Sequence, residues 1–238
     1  VCSGIMQAVL EYAQELPHRS DFQGWQKIAG RNEYRLSLGS LKSIALGLGV
    51  QPGHKQITPA VEKTSSAFYA GFLRGLFDAD GSVQGDQVKG VSLRLAQSNL
   101  ETLQAVQRML LRLGIVSCIY VDRREAGGRD MPDGQGGLKS YFCRRQHELV
   151  ISRDNLVRYA ESIGFHDAGK ARKLHAVLSG YEVQEGAEGH DLYHFSFFVD
   201  LAHLNISHDV LHPLLGLCTV LCIVGGYHDK AIIVYVYL

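Results

Sequence analysis

Asp78 and Asp80 are separated by one residue, and the stretch that carries them, Ser65 to Gly81, is otherwise largely apolar. Phe68, Phe72, Leu73, Leu76 and Phe77 recur at helical spacing. Ser65 or Ser66 stands where an N-cap belongs, and Gly81 where a C′ glycine belongs. The spacing predicts a helix whose last turn holds both acids. Carboxylates there oppose the helix dipole by roughly 0.3–1 kcal/mol, and a sequence shaped only for stability would carry Lys or Arg instead. Two acids at the negative end of a helix make physical sense beside a cation. The plain alternative is a buried core helix that happens to end in an Asp-Ala-Asp-Gly turn.

A second feature of the same stretch is its row of small residues. Gly71, Gly75 and Ala79 fall four apart on one line, an arrangement that lets two helix backbones approach closely. Glycine inside a helix costs about 1 kcal/mol relative to alanine, so two of them imply a packing reason. With ridge, apolar face and acids in one register, Leu73-Arg74-Gly75-Leu76-Phe77-Asp78-Ala79-Asp80-Gly81 resembles the LAGLIDADG motif of homing endonucleases and intein endonuclease domains. It departs from that motif at Arg74 and Phe77.

The resemblance implies an α+β fold of αββαββα halves, whose antiparallel, saddle-shaped sheets straddle the major groove of double-stranded DNA. It implies that Asp80 is the catalytic, metal-binding acid, with Mg2+ or another divalent cation as cofactor. Such an ion, held by carboxylate and phosphate oxygen, supplies an activated water and relieves charge on the leaving oxygen. Gly71, Gly75, Asp78 and Ala79 would then belong to the interface between two motif helices. Family members also place a basic residue near the cleavage site on a strand, and Lys139 is the candidate here.

The elements that must position these residues follow along the chain. Ile5 to Leu16 reads as an amphipathic helix closed by Pro17. Gly24 to Ser37 is strand-like around Ala29-Gly30-Arg31-Asn32, and Ser40 is expected to cap a short helix stopped by Gly49. Residues 51–64 read as a connection. Val91 to Ala96 alternates, with Val91, Leu93 and Leu95 toward the helices and Ser92 and Arg94 on the open face. Asn99 caps a helix through Leu113, ended by Gly114, and Ile115 to Arg124 reads as strand. Glu125 to Gly137 is glycine-rich and reads as a long hairpin loop or insertion, Lys139 to Ser152 as further strand, and Asp154 as the cap of a helix ending at Ile163-Gly164.

Two of these regions look duplicated. Met6 to Leu16 aligns with Leu103 to Leu113, Glu33 to Ser37 with Glu148 to Ser152, and Leu41, Ile44, Leu48 and Gly49 with Leu156, Tyr159, Ile163 and Gly164. The motif helix precedes only the second copy. The expected organisation is a truncated first half over 1–60, a complete second half over 61–180, and an atypical apolar, His-rich tail over 181–238. A partner motif helix would come from a missing N-terminal segment or from a second chain. The tail carries only Lys230 among 24 Lys and Arg residues and six of the eleven histidines. It reads either as extra strands packed on the core or as unrelated, out-of-frame sequence, with the second reading favoured.

The chain of 238 residues has zero formal net charge, so any nucleic-acid surface must be local. Lys89 to Arg153 holds eleven Lys and Arg against six Asp and Glu. Arg94, Arg123, Arg124, Arg144 and Arg145 lie on or beside strands, where they could contact phosphates or guanine edges; the alternative is a solvated sheet face. Five cysteines form no disulfide framework, and no apolar run is long enough to span a bilayer, so the expected setting is soluble and cytoplasmic. Cys218 and Cys222 with His212 and His228 lack the paired spacing of a zinc site, and the two cysteines read better as buried thiols. The Leu149 to Leu156 segment and the basic run Lys170 to Leu174 also resemble endonuclease domains of inteins, including those inserted in ribonucleotide reductases. Residues for self-splicing are not present at either end of the given chain. A site-specific, metal-dependent double-strand endonuclease is the first expectation; a non-catalytic DNA-binding module or an inactive intein remnant is the second.

Overall fold

The apolar face of the central helix has one place to go, and the sheet that follows it supplies that place. In the computed structural model, residues 3–30, 33–51, 56–86, 90–132, 137–179, 225–228 and 231–237 are described. The central helix, α4 (Ser66–Asp80), is reached through α1 (Ser3–Glu15), β1 (Gln26–Lys27), β2 (Glu33–Leu38), α2 (Gly39–Gly47) and α3 (Pro59–Glu62). Then come β3 (Gly81–Asp86), β4 (Gly90–Gln97), α5 (Leu100–Arg112), β5 (Cys118–Arg124), β6 (Gly127–Pro132), β7 (Leu138–Cys143), β8 (Gln146–Ser152), α6 (Asn155–Ser162) and α7 (Ala168–Leu178). Two further strands, β9 (Gly225–His228) and β10 (Ala231–Tyr237), close the order. The architecture is mixed α and β with antiparallel sheets, as expected.

Strands β3, β4, β8 and β5 lie side by side in that order, all neighbours antiparallel. Val91, Leu93 and Leu95 of β4 and Leu149 and Ile151 of β8 point under the helices and are buried. There they meet Phe72, Leu73, Leu76 and Phe77 of α4, and Leu103, Val106, Met109 and Leu110 of α5. Alternation on the strands and 3.6-residue spacing on the helices thus deliver one shared core. A smaller core joins Ile5, Val9, Ala13 and Leu16 of the first helix and the residue after it to Leu36, Leu38, Leu41 and Ala45, and half-buried Val50 packs against both cores.

Several local expectations are corrected. Residues 51–64 are not merely a connection: Thr58 caps the short α3 by accepting from Val61 N, with Pro59 in its first turn. Ser40 does not cap α2; Leu38 occupies the N-cap position, and the Ser40 hydroxyl is buried within the first turn. Asp154 precedes α6 without a side-chain cap bond. The hairpin expected over Glu125 to Gly137 carries more strand than a loop would: Gly127–Pro132 forms β6, which pairs with β7 as a separate two-stranded ribbon. Ser65 does cap α4, its Oγ accepting from Phe68 N at 3.1 Å. Asn99 caps α5 in the same way, accepting from Thr102 N.

Gly81 is a glycine for a different reason from the one its position suggests. Its φ of −79° is open to any residue, so no left-handed cap is involved. A Cβ there would stand 2.6 Å from the Phe77 carbonyl oxygen, a distance no side chain tolerates. The residue lets the chain leave α4 directly into β3 while keeping its backbone against the last helical turn.

In the first part of the chain, β2 pairs with β1 on one side and with β10 on the other, giving the order β1-β2-β10-β9. The strands β9 and β10 thus extend this sheet; Cys218, Cys222 and His212 lie outside the described residues. Among the described residues no helix is long and apolar enough to cross a membrane.

Candidate nucleic-acid interface

The last turn of α4 sends its two acids to different places. Asp78 is buried, and its carboxylate accepts from the backbone N–H of His166 at 3.1 Å and of Asp167 at 3.0 Å, just before α7. Asp80, two residues on, is exposed; its Oδ2 accepts from Gln97 Nε2 at 2.7 Å. The pairing of Gly81 with Leu95 brings the end of β4 beside the end of α4, which is what lets Gln97 reach it. The cation expected at this helix end is partly internal: Lys170 Nζ of α7 donates to the Phe77 carbonyl at 3.1 Å and also to that of Asp78. Asp80 is left as the acid available to solvent.

Burial raises the Asp78 carboxyl above its usual range, while the Asp167 and His166 N–H groups and Lys170 pull the other way. Next to it, burial and the Arg74 charge lower His166 from 6.5 to about 4, against a smaller opposing pull from Glu11. Arg74, the motif's departure from Ala, donates through Nε to the Ile163 carbonyl at the end of α6. The His166 ring also meets Tyr12 of α1, with centroids 6.4 Å apart. Between about pH 6.5 and about 4 the unfolded chain binds a proton on His166 that the folded chain refuses, so stability falls as pH is lowered through this window. We expect about 1–2 kcal/mol, allowing for solvent screening of a half-buried ring. Thermal melts of wild type and His166→Gln from pH 7 to 4 check this: the variant should lose that part of the acid slope.

Of the interface candidates, Gly71 and Gly75 are buried and Ala79 is exposed. Of the DNA-contact candidates, Arg94 of β4 and Arg123 of β5 come together over Glu148 of β8, with contacts of 3.2 and 3.7 Å. They line an open groove of about 490 Å³ on the sheet face away from the helices, with Tyr120, Val150, Ser152 and Arg153. Arg124 is exposed at the end of β5, opposite Gln146. Arg144 and Arg145 occupy the link from β7 to β8, and Arg145 Nη1 donates to Asp122 Oδ2 at 3.2 Å. Lys139 is exposed on the separate β6–β7 ribbon with its Nζ 5.8 Å from the Tyr141 ring centroid, so it does not share a strand or a bond with Asp80.

Four functional candidates were not singled out by sequence. Gln97 is the last residue of an alternating strand, and only the pairing with Gly81 brings it to Asp80. Glu148 is one acid among basic strands, and Arg153 follows β8 at a positive φ of 56°. Lys170 lies in the basic run noted above, but its role as a cap for α4 requires the packing of α7. As to metal, no group of three or more His, Cys, Asp or Glu side chains clusters among the described residues. A single exposed carboxylate still fits Mg2+, which keeps several waters and takes much of its shell from substrate phosphate.

Comparison with known proteins gives this geometry a context. The family described as a LAGLIDADG-like domain matches residues 67–164. The ribonucleoside-diphosphate reductase NrdEB subunit alpha of Bacillus subtilis is 34% identical over 87 residues, covering 36% of this chain and 8% of that protein. The replicative DNA helicase DnaB of Rhodothermus marinus is 27% identical over 176 residues, covering 71% of this chain and 17% of the helicase. The chain thus spans a small fraction of the length of these relatives. Among solved structures, I-DmoI in complex with DNA and Mn is similar at a TM-score of 0.30 and 18% identity, over 68% of this chain and 97% of that one. I-DmoI G20S with its target DNA and Mg gives 0.30 and 19%, over 68% and 96%.

Proposed function

We propose, on the premise that residues 67–164 form a LAGLIDADG-like domain, that this chain binds double-stranded DNA across its antiparallel sheet and serves metal-dependent cleavage of the phosphodiester backbone at Asp80. The observation that carries the reading is the separation of the two motif acids. Asp78 is spent on the fold, while Asp80 stands exposed at the end of α4, beside a sheet whose outer face carries arginines. In this reading Asp80 holds Mg2+ or another divalent cation, and Gln97 fixes the carboxylate by its 2.7 Å hydrogen bond. The bound ion would supply Lewis-acid relief of charge and a more acidic water. Arg94, Arg123, Arg124, Arg144, Arg145 and Arg153 neutralise phosphate or read base edges, and Lys139 on its ribbon meets the DNA backbone away from Asp80.

The site needs a second acid, which a partner motif helix would bring, from the same polypeptide or from a second chain. An intein origin fits the company the domain keeps. Similar stretches occur in a reductase, a helicase and a DNA polymerase, proteins with unrelated activities, as an inserted element would. The repeated order of helix, strands and helix in α1 to α2 and α5 to α6 supports two duplicated halves.

A second reading is a DNA-binding module without cleavage, for which the arginine-lined sheet face suffices without Asp80. Binding itself is tested by fluorescence anisotropy on a labelled duplex over 50–300 mM salt. The logarithm of affinity is expected to fall with log salt at a slope of about −4 or steeper, roughly −0.9 for each phosphate neutralised. Affinity that is absent, or indifferent to salt, would remove both readings.

A further inference from the structure

Glu148 is a carboxylate on the DNA-facing side of a sheet, yet its side chain is only 6% exposed, against 31% for Arg94 and 54% for Arg123 above it. A solvated sheet face does not bury its acid beneath its bases. Arg94 reaches Glu148 through Nη1 and donates through Nε to Ser92 Oγ at 3.0 Å, so two of its nitrogens are fixed and its plane is set. Arg123 approaches through Nε at 3.7 Å and lies 5.6 Å over the Tyr120 ring, which sets a second guanidinium.

Arg123 reaches this position only because β5 is irregular. Tyr120 pairs with Glu148 and Arg124 with Gln146, so four steps along β5 match two along β8. Asp122 absorbs the excess in a left-handed conformation, φ 52°. The bulge is pinned on both sides: Asp122 N donates to buried His147 Nδ1 at 3.0 Å, and Arg145 holds the Asp122 carboxylate. In a regular strand, residues 120 and 123 would point to opposite faces; the bulge turns both onto Glu148.

We infer that Glu148 is a positioning residue for base readout, and that Arg94, Glu148 and Arg123 form one pre-ordered unit that selects guanine at two positions of the target duplex. The inference rests on the DNA-binding reading above. A guanidinium fork matches guanine O6 and N7, and such a contact discriminates by about 5- to 150-fold when its geometry is held. A fork left to rotate contacts phosphate and any base alike. The buried acid supplies the hold without cancelling both positive charges.

The test is selection from a randomised duplex pool by the full chain in EDTA, comparing wild type with Glu148→Gln and Arg94→Lys. Wild type is expected to enrich guanine at two positions. Glu148→Gln should lower that preference about tenfold at both, with an unchanged melting transition, and Arg94→Lys should lower it at one. An acid that merely subtracts charge predicts something else: Glu148→Gln would tighten binding to every sequence with preferences intact, and that result overturns the inference. Should Glu148→Gln fail to fold, Arg94→Lys decides, and unaltered preferences overturn it. Salt-sensitive binding by wild type with no guanine preference overturns the inference alone; absence of salt-sensitive binding overturns the DNA reading with it.

Discussion

Asp80→Asn is expected to reduce metal-dependent cleavage of duplex DNA by about a thousandfold or more, while duplex affinity in EDTA stays within about twofold of wild type. The size follows from the role proposed for the carboxylate. Stabilising developing charge through a bound cation is worth several kcal/mol, and each 1.36 kcal/mol is a factor of ten in rate. Asparagine keeps the shape and an oxygen that can still accept from Gln97 Nε2, so the end of α4 and its bond to β4 persist. Because Asp80 is exposed and outside the cores, the melting temperature should not move by more than about a degree or two. Cleavage rates on supercoiled plasmid in Mg2+, alongside anisotropy in EDTA, separate the two effects. A mutant that cuts like wild type would remove Asp80 from the site.

Asp78→Ala, two residues away, should act on stability instead. It is expected to cost about 3 kcal/mol, read as a lower urea midpoint at unchanged slope. The carboxylate accepts from His166 N and Asp167 N, and its removal leaves two half-buried donors without this acceptor, at about 1–2 kcal/mol each. It also unfastens the start of α7, and with it the Lys170 contact that caps α4. Asp78→Asn retains one good acceptor oxygen and should cost less than half as much. If Asp78→Ala melted like wild type, the clamp between α4 and the start of α7 would carry no weight in the fold. The contrast between the two acids is the sharper result: equivalent in sequence, one is buried against the start of α7 and the other is exposed at the end of α4.

Much of this was legible before any coordinates. The apolar spacing of Phe68 to Phe77, the alternation of Val91 to Ala96 and the Asn99 cap are local signals, and each element formed where the signal lay. The motif resemblance implies Asp80 as the metal-binding acid and Asp78 as an acid of the motif-helix interface; in the structure Asp80 is exposed, while Asp78 accepts from the His166 and Asp167 N–H groups ahead of α7. What escaped was whatever depends on pairing across the chain. Gln97 meets Asp80 through strand register, Lys170 caps α4 from a helix about ninety residues later, and Arg123 joins Glu148 through a bulge with no turn-residue signature. Gly81 shows the same limit in small. Its identity was readable, but the reason was close approach of the Phe77 carbonyl and not a left-handed cap. Ser40 failed as a cap because Leu38 ends its strand directly into the helix, leaving the serine inside the first turn.

The most direct test of the account is cleavage itself. The full chain is incubated with supercoiled plasmid bearing a duplex recovered from the pool, with Mg2+ and separately with EDTA. Strand scission that requires Mg2+ and disappears in Asp80→Asn is the expected result. Tight, salt-sensitive binding to that duplex with no scission at any Mg2+ concentration would contradict it, leaving a DNA-binding module in place of an endonuclease.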